Sequence, residues 1–266
     1  MAIKILSMSK LSSSEPAWLL GVRVDRISQQ QAIAQIDQLV THHNESSTPL
    51  LCQQVVTVNT EFVMMAQHNT VFRNVINHAA LVVADGIGIV WGTRYIGKAT
   101  PERVTGTDTL VELAKLCASK GYRLYLLGAA PGVAEEASTR LQTLAPGLQV
   151  AGTYAGSPSP TEEDALIEQV RLAKADILCV AYGAPAQELW IARNLSRLPV
   201  AVAMGVGGAY DFLSGRQRRA PHIMQQMGLE WLYRLYREPW RLRRMLAIPR
   251  FMLLVVLKGR KGQYLQ

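Results

Sequence analysis

A unit of strand, glycine turn and helix occurs three times in the second half of the chain. Apolar runs at residues 122–127, 176–181 and 199–204 predict strands, and each is followed by a glycine-containing turn and a segment of helical periodicity. Such alternation is typical of a parallel sheet with helices on its faces. We therefore predict an α/β fold with a Rossmann-like body, whose ligand binds at the carboxyl ends of the strands.

The first half of the chain continues this pattern. A short strand is predicted at residues 21–25, and Ser28 is placed to cap a helix whose apolar residues recur at helical spacing. Two β-branched runs, at residues 50–59 and 80–84, predict further strands, and a helix is expected from Glu61. Strands and helices therefore alternate through most of the chain.

The C-terminal part of the chain differs in charge from the rest. Residues 216–266 hold twelve of the 28 Lys and Arg residues but only two of the 20 Asp and Glu residues, Glu230 and Glu238. The same segment carries several aromatic residues and the apolar run 251–257. Arginine interleaved with aromatic and apolar side chains suits an anionic lipid surface or a diphosphate.

These differences divide the chain into three predicted segments. Residues 1–18 form a loose N-terminal leader without the features of a signal peptide, and residues 19–215 form the α/β domain. Residues 216–266 form a basic, amphipathic helical appendage that associates with a membrane. Because no run approaches the roughly 20 apolar residues needed to cross a bilayer, we predict attachment to the surface only.

Cysteine and histidine spacing argues against two classes of site. Cys52, Cys117 and Cys179 lie in apolar runs without CxxC spacing, which predicts buried thiols. The five histidines show no metal-ligand spacing either. We therefore expect no disulfide framework and no zinc site.

The glycine turns are the first candidates for ligand binding. Turns of this kind bring backbone amides and a helix N-terminus close to a phosphate group, but a tight turn that merely needs small residues is at least as common. None of them is a Walker A loop. The glycines concerned are Gly128, Gly183, Gly205, Gly207 and Gly208.

Four polar residues at strand ends are candidates for chemistry. Asp85 follows an apolar strand, where a carboxylate can act as a general base or can cap the next helix. Asp211 has the same ambiguity. Thr57 and Asn59 are placed to hydrogen-bond a sugar, although an Asx or Ser/Thr turn is the alternative.

A glutamine and a glutamate begin the helix after the second glycine turn. Glu188 is explained by its position near the positive end of the helix dipole. The same reasoning explains Gln187 poorly, so Gln187 is the better candidate for a ligand contact.

The chain contains no Asp-x-Asp pair of the kind that holds a divalent ion on a nucleotide diphosphate. We therefore expect metal-independent chemistry in which arginines stabilise a diphosphate. Four arginines of the appendage recur at helical spacing beside Trp231 and Trp240. They are Arg234, Arg237, Arg241 and Arg244.

Taken together, these segments resemble the WecG/TagA/CpsF family of bacterial glycosyltransferases. The matching stretches are residues 57–60, 84–90, 103–108, 127–135, 181–188, 205–211, 215–221 and 228–239. The resemblance covers about residues 20–250 in order. One departure is Ala186, which replaces a lysine that is common at this position in the family.

The resemblance implies an inverting transferase that moves N-acetylmannosamine, or a related sugar, from a UDP-sugar. The acceptor is a sugar on undecaprenyl diphosphate, and the enzyme works at the cytoplasmic face of the plasma membrane in polysaccharide or cell-wall synthesis. Asp85 would act as general base, and Thr57, Asn59 and Arg103 would position the sugars. The nucleotide-sugar would contact Gly128, Gly183, Gln187, Glu188, Gly205, Gly207, Gly208 and Asp211. The lipid diphosphate would contact Arg234, Arg237, Arg241 and Arg244.

Three alternatives remain open from the sequence. The donor can be another nucleotide-sugar, such as UDP-glucose or UDP-N-acetylmannosaminuronate, because donor choice rests on few contacts. A non-catalytic membrane adaptor with the same fold is a second possibility. Nucleic-acid binding through the basic appendage is a third, but the aromatic and apolar residues favour lipid. We expect no nucleic-acid partner, and a homo-oligomer in solution fits the resemblance.

Overall fold

The computed structural model describes residues 15–221, 223–224 and 230–258. Eight strands are present in these residues: β1 Ala17–Leu19, β2 Val22–Val24, β3 Gln53–Val58, β4 Leu81–Ala84, β5 Arg123–Gly128, β6 Gln149–Tyr154, β7 Ile177–Ala181 and β8 Val202–Gly205. The helices of the body are α1 Gln29–Glu45, α2 Thr60–Ala66, α3 Thr70–His78, α4 Ile87–Tyr95, α5 Gly106–Lys120, α6 Val133–Leu144, α7 Glu163–Ala173, α8 Ala186–Asn194 and α9 Ala209–Leu213. The C-terminal helices are α10 Glu230–Arg237, α11 Leu242–Met245 and α12 Ala247–Lys258. Two 3₁₀ turns, Pro160–Glu162 and Pro239–Arg241, complete the described elements.

Six strands form one parallel sheet in the order β4-β3-β8-β7-β5-β6. This confirms the predicted α/β class, and the three repeated units supply the adjacent strands β8, β7 and β5. Because successive side chains of a strand point to opposite faces, Val55 packs with one layer of helices and Val56 with the other. Helices α1, α5, α6 and α9 cover the first face, and the remaining body helices cover the second.

The N-terminal hairpin anchors the edge of the sheet. Strands β1 and β2 pair in antiparallel fashion, and Asp25 then accepts a hydrogen bond from the backbone of Val82 in β4 at 2.8 Å. Arg23 donates to the same carboxylate at 2.7 Å, so the buried charge of Asp25 is paired. Strand β1 already includes Ala17 and Trp18, which were predicted to belong to the leader. Residues 1–14 of that leader lie outside the described residues.

The C-terminal helices pack against the body. Phe251 and Val255 of α12 are fully buried in the cluster formed by the hairpin and helices α2, α3 and α4. A Cβ atom at Gly92 in α4 would lie 3.0 Å from the Phe251 ring, so the two helices touch. Within the described parts of the chain, no helix is long and apolar enough to span a membrane.

Candidate active site

A cavity of about 500 Å³ opens at the carboxyl ends of the parallel strands. Its walls come from the residues that follow β3, β4, β7 and β8, together with the turn after β5 and the beginning of α5. Helices α10, α11 and α12 contribute Glu230, Trp231, Arg244, Met245 and Ile248 to the same cavity. The body and the C-terminal helices therefore build one site.

Asp85 occupies the end of β4 and lines the cavity with a partly exposed side chain. Its backbone N–H donates to the carbonyl of Val58 at 2.7 Å, which ties the strand ends of β4 and β3 together. The N-cap of α4 is Gly86, which has no side-chain cap, so the capping role considered for Asp85 is wrong. Asp85 thus lines the cavity without being the N-cap residue of α4.

Thr57 and Asn59 both line the cavity, but they do so differently. The side-chain oxygen of Asn59 accepts the backbone N–H of Phe62 at 3.0 Å, so Asn59 is the N-cap of α2, a local role related to the Asx turn that was the alternative for this residue. Thr57 is 5% exposed and lies beside the N-terminus of α5, where a Cβ atom at Gly106 would be 3.6 Å from its hydroxyl oxygen. Thr57 therefore remains the better candidate of the two for a ligand contact.

Two arginines of the cavity are joined to one glutamate of α10. The nearest nitrogen of Arg103 lies 3.3 Å from the carboxylate of Glu230, and that of Arg219 lies 4.0 Å from it. Arg219 also forms an ion pair with Asp108 at 2.7 Å. Burial lowers the pKa of the Arg219 guanidinium, but its hydrogen bond to Asp108 and the charges of Glu230 and Asp85 raise it more.

Asp108 responds to the same pairing. Burial raises the pKa of this carboxyl group, but hydrogen bonds from Arg219 and from Thr105 outweigh it, and the pKa lies below its ordinary value. The Thr105 hydroxyl donates to Asp108 at 2.7 Å while accepting the Asp108 backbone N–H as the cap of α5. Arg219 is thereby fixed at the N-terminus of α5, close to Asp85.

Of the four appendage arginines predicted to bind the diphosphate, Arg244 lines the cavity. Its guanidinium makes a two-pronged ion pair with Glu61 of α2, with hydrogen bonds of 2.8 and 2.9 Å. Arg237, by contrast, is exposed and does not line the cavity. The side chains of Arg234 and Arg241 lie outside the described part of the chain.

The candidates for nucleotide-sugar binding fall into two groups. Those that line the cavity are Gly183, Gln187, Gly207, Gly208 and Asp211. Those that lie behind its wall are Gly128, Glu188 and Gly205.

Packing explains the second group. Gly128 has a φ of +99°, and a Cβ atom there would lie 2.8 Å from the backbone of Ala181, so glycine is required by the close approach of β5 and β7. Glu188 is completely buried. A Cβ atom at Gly205 would lie 2.4 Å from the Glu188 carboxyl oxygen, so this glycine makes room for that residue. These three residues were predicted to contact the nucleotide-sugar directly. Their positions behind the cavity wall do not provide that contact.

Sequence reasoning missed several charged residues of the site. Arg219, Asp108, Glu61 and Glu230 all belong to the ion pairs around the cavity. Glu230 carried a usable signal, because it is one of only two acidic residues in the basic segment 216–266. The described residues contain no group of three or more His, Cys, Asp or Glu side chains arranged to hold a metal ion.

Comparison with known proteins agrees with this arrangement. The model of the "Glycosyl transferase WecG/TagA/CpsF family" matches residues 17–264. An N-acetylglucosaminyldiphosphoundecaprenol N-acetyl-beta-D-mannosaminyltransferase of Bacillus spizizenii is 35% identical over 76% of this chain and 78% of its own. A protein of the same name from Staphylococcus aureus is 29% identical over 96% of this chain and 98% of its own. With a match over nearly its whole length and a cavity at the expected edge of the sheet, the chain belongs to the WecG/TagA/CpsF family of glycosyltransferases.

Proposed function

We propose that this glycosyltransferase moves N-acetylmannosamine from UDP-N-acetylmannosamine to N-acetylglucosamine on undecaprenyl diphosphate, with inversion at the anomeric carbon. The observation that carries the proposal is the partly exposed carboxylate of Asp85, which lines the same cavity as Thr57 and Arg103. The names of the Bacillus and Staphylococcus relatives supply the transferred sugar and the acceptor. The family resemblance supplies the UDP leaving group and the inversion.

In the proposed reaction, Asp85 acts as general base. Its carboxylate takes the proton of an acceptor hydroxyl group while the hydroxyl oxygen forms a bond to the anomeric carbon. The bond between that carbon and the donor phosphate oxygen breaks, and UDP leaves with the electron pair. General base catalysis of this kind contributes about 10²- to 10⁴-fold to a rate.

Arginines stabilise the negative charge that develops on the leaving diphosphate and bind the lipid diphosphate. Arg103, Arg219 and Arg244 already line the cavity, and each is paired with a carboxylate of the protein. A guanidinium has five N–H donors, so it can bind a phosphate while keeping one such partner. We propose that Arg234 and Arg241 join them and that no metal ion is needed, so that EDTA leaves the rate unchanged.

We further propose that the enzyme lies on the inner face of the plasma membrane through its C-terminal helices. Tyr236 and Trp240 are 82% and 74% exposed, and Leu253 and Leu257 of α12 are 59% and 63% exposed. Basic residues alternate with these aromatic and apolar residues along the sequence of the segment, which is the composition of a helix that lies in an anionic lipid interface. Such a position brings the cavity to a substrate that is anchored in the bilayer.

UDP release from a panel of UDP-sugars, with N-acetylglucosamine on a lipid diphosphate as acceptor, tests the proposal. We expect turnover of UDP-N-acetylmannosamine by the wild type and a loss of about 10³-fold in kcat for Asp85→Ala. The matched control is Asp164→Ala on α7, a highly exposed carboxylate of the body. Turnover of UDP-glucose or UDP-N-acetylmannosaminuronate instead would keep the reaction and change the donor. Equal rates for wild type and Asp85→Ala would refute the assigned base.

A further inference from the structure

One titratable group near the cavity has no place in the proposed reaction. Glu188 lies in the first turn of α8, and it is 0% exposed. One of its carboxyl oxygens, Oε1, accepts a hydrogen bond from the Gln187 side-chain nitrogen at 2.7 Å. Within the described part of the chain, the other oxygen has no hydrogen-bond partner. A buried carboxyl group with one unsatisfied oxygen lowers the stability of a protein, so we expect the Glu188 carboxyl group to have a function.

The answer lies in the orientation of the Gln187 amide. Its oxygen accepts the backbone N–H of Gly183 at 3.0 Å and the backbone N–H of Gly207 at 3.1 Å. Because a backbone N–H can only donate, this end of the amide must be the oxygen. The nitrogen therefore points to Glu188, whose oxygen is the acceptor that it needs. The four groups form a continuous chain of hydrogen bonds.

This series of hydrogen bonds joins two neighbouring turns of the active site. Gly183 follows β7 and Gly207 follows β8, and both residues line the cavity. If the Gln187 amide were reversed, its nitrogen would face two backbone donors and the two turns would have no common partner. Gln187 lines the cavity but is only 2% exposed, so its amide has this structural role in addition to the ligand contact predicted from the sequence.

We propose that Glu188 is a positioning residue for sugar transfer: its carboxyl group fixes the Gln187 amide, which holds the turns after β7 and β8 at the spacing that the UDP-sugar requires. This inference rests on the proposed function for the identity of the ligand. The geometry of the hydrogen-bond chain stands apart from it and can be measured separately.

The surroundings of Glu188 favour a neutral carboxyl group. Burial raises its pKa to about 8, although the hydrogen bond from Gln187 lowers it again in part. The group then serves as a hydrogen-bond acceptor without carrying a charge at neutral pH. A glutamine at position 188 offers the same acceptor oxygen, whereas a leucine fills similar space and offers none.

The test compares Glu188→Leu with Glu188→Gln in the full chain. Isothermal titration calorimetry measures the affinity for UDP, and hydrogen exchange by NMR measures the protection of the Gly183 and Gly207 amides. For the leucine variant we expect about tenfold weaker UDP binding and about tenfold faster exchange of both amides. The glutamine variant should stay within about threefold of the wild type in both measurements. Gln54→Leu is the matched control, since this buried amide donates to the backbone carbonyl of Glu188 and its loss leaves the Glu188 carboxyl group in place.

Gly205→Ala disturbs the same hydrogen bonds from β8. It is the substitute test if the leucine variant does not fold. The added Cβ atom would lie 2.4 Å from the Glu188 oxygen and 2.6 Å from the Gln187 nitrogen, so it displaces both side chains. Faster exchange of the two glycine amides in this variant supports the proposal. Unchanged exchange in Gly205→Ala or Glu188→Leu overturns it, as does a glutamine variant that is as impaired as the leucine variant. If wild-type protein fails to bind UDP, the proposed donor is wrong, while amide exchange still decides the role of Glu188.

Discussion

The two halves of the active site are held in place by different forces. The wall consists of the strand ends and is held by the buried sheet. Asp85 follows a strand whose four residues are all buried, and Thr57 is 5% exposed. The lid, residues 230–258, is held by the ion pairs of Glu230 and Arg244 and by the buried side chains of Phe251 and Val255. Partly exposed ion pairs contribute about 0–1 kcal/mol each, so the charged edge of the lid is far easier to move than the wall. We therefore expect the wall to determine the chemical step, and the lid to determine access to the cavity and binding of the acceptor.

Removing the lid should give the largest effect. A chain that ends at Ala220 keeps Arg219 and the whole wall, but it loses Glu230, Trp231 and Arg244 from the cavity. Because the lid supplies positive charge to the lipid diphosphate, we expect a loss of roughly a thousandfold in transfer. Arg103 and Arg219 remain in the cavity for the nucleotide-sugar, so UDP affinity should stay within about threefold of wild type. Rates with a short-chain acceptor and calorimetric titration with UDP measure the two quantities. Full activity of the shortened chain would show that the lid is dispensable.

The shortened chain also exposes apolar surface, so stability needs its own control. Phe251→Ala keeps every charge of the lid but removes a fully buried ring, which costs about 3–5 kcal/mol of stability. Urea unfolding of this variant gives the stability effect, and its transfer rate shows how much activity depends on it. If Phe251→Ala loses as much activity as the shortened chain, the charges of the lid are not the cause.

The wall was largely predictable from sequence, because its elements follow from local patterns. The apolar runs at residues 50–59, 80–84 and 176–181 correspond to β3, β4 and β7 within three residues at either end. Gly86 and Gly183 follow the second and third of these runs by two residues, and both line the cavity at the carboxyl edge of the sheet. Strands β1 and β6 escaped prediction, since β1 has three residues and β6 is a partly exposed edge strand without an apolar run.

The lid contacts were not predictable in the same way. Arg103 and Glu230 are 127 positions apart, and Arg244 and Glu61 are 183 apart, so no local pattern relates the partners. Net charge identified the segment as a binding surface, but a basic segment does not say which of its arginines face inward. The hydrogen bonds of Gln187 were equally hidden, because they depend on the spacing of two separate turns.

A smaller effect should separate two roles of Arg244. As a ligand for diphosphate, it acts through its charge, and Arg244→Ala should reduce transfer by about thirtyfold, the value of one charged hydrogen-bonding group. Glu61→Gln removes its internal partner and leaves the arginine in place. If Arg244 binds the substrate, this second variant should stay within about threefold of wild type. Equal losses in both variants would mean that the ion pair serves only to hold the lid closed.

The outer surface of the lid should affect membrane binding and leave the wall untouched. Replacing both Leu253 and Leu257 by glutamate removes exposed apolar side chains from α12 and adds negative charge. We expect about tenfold weaker binding to phosphatidylglycerol vesicles in cosedimentation, with unchanged rates on a short-chain acceptor in solution. Leu172→Glu is the matched control, because this leucine is 74% exposed on α7 of the body. Equal vesicle binding by wild type and the double variant would exclude α12 as the membrane contact.

The smallest effect is expected where the wall departs from the family pattern. Ala186 begins α8, is half-buried and does not line the cavity, whereas the family pattern that this sequence resembles has lysine at this position. A lysine at the first position of a helix faces the positive end of the helix dipole, so Ala186→Lys should lower stability by about 0.5 kcal/mol. Because the position lies outside the cavity, the KM for the donor should change by less than about twofold. A tenfold lower KM would mean that a side chain at position 186 reaches the nucleotide-sugar. Position 186 would then belong to the wall of the active site.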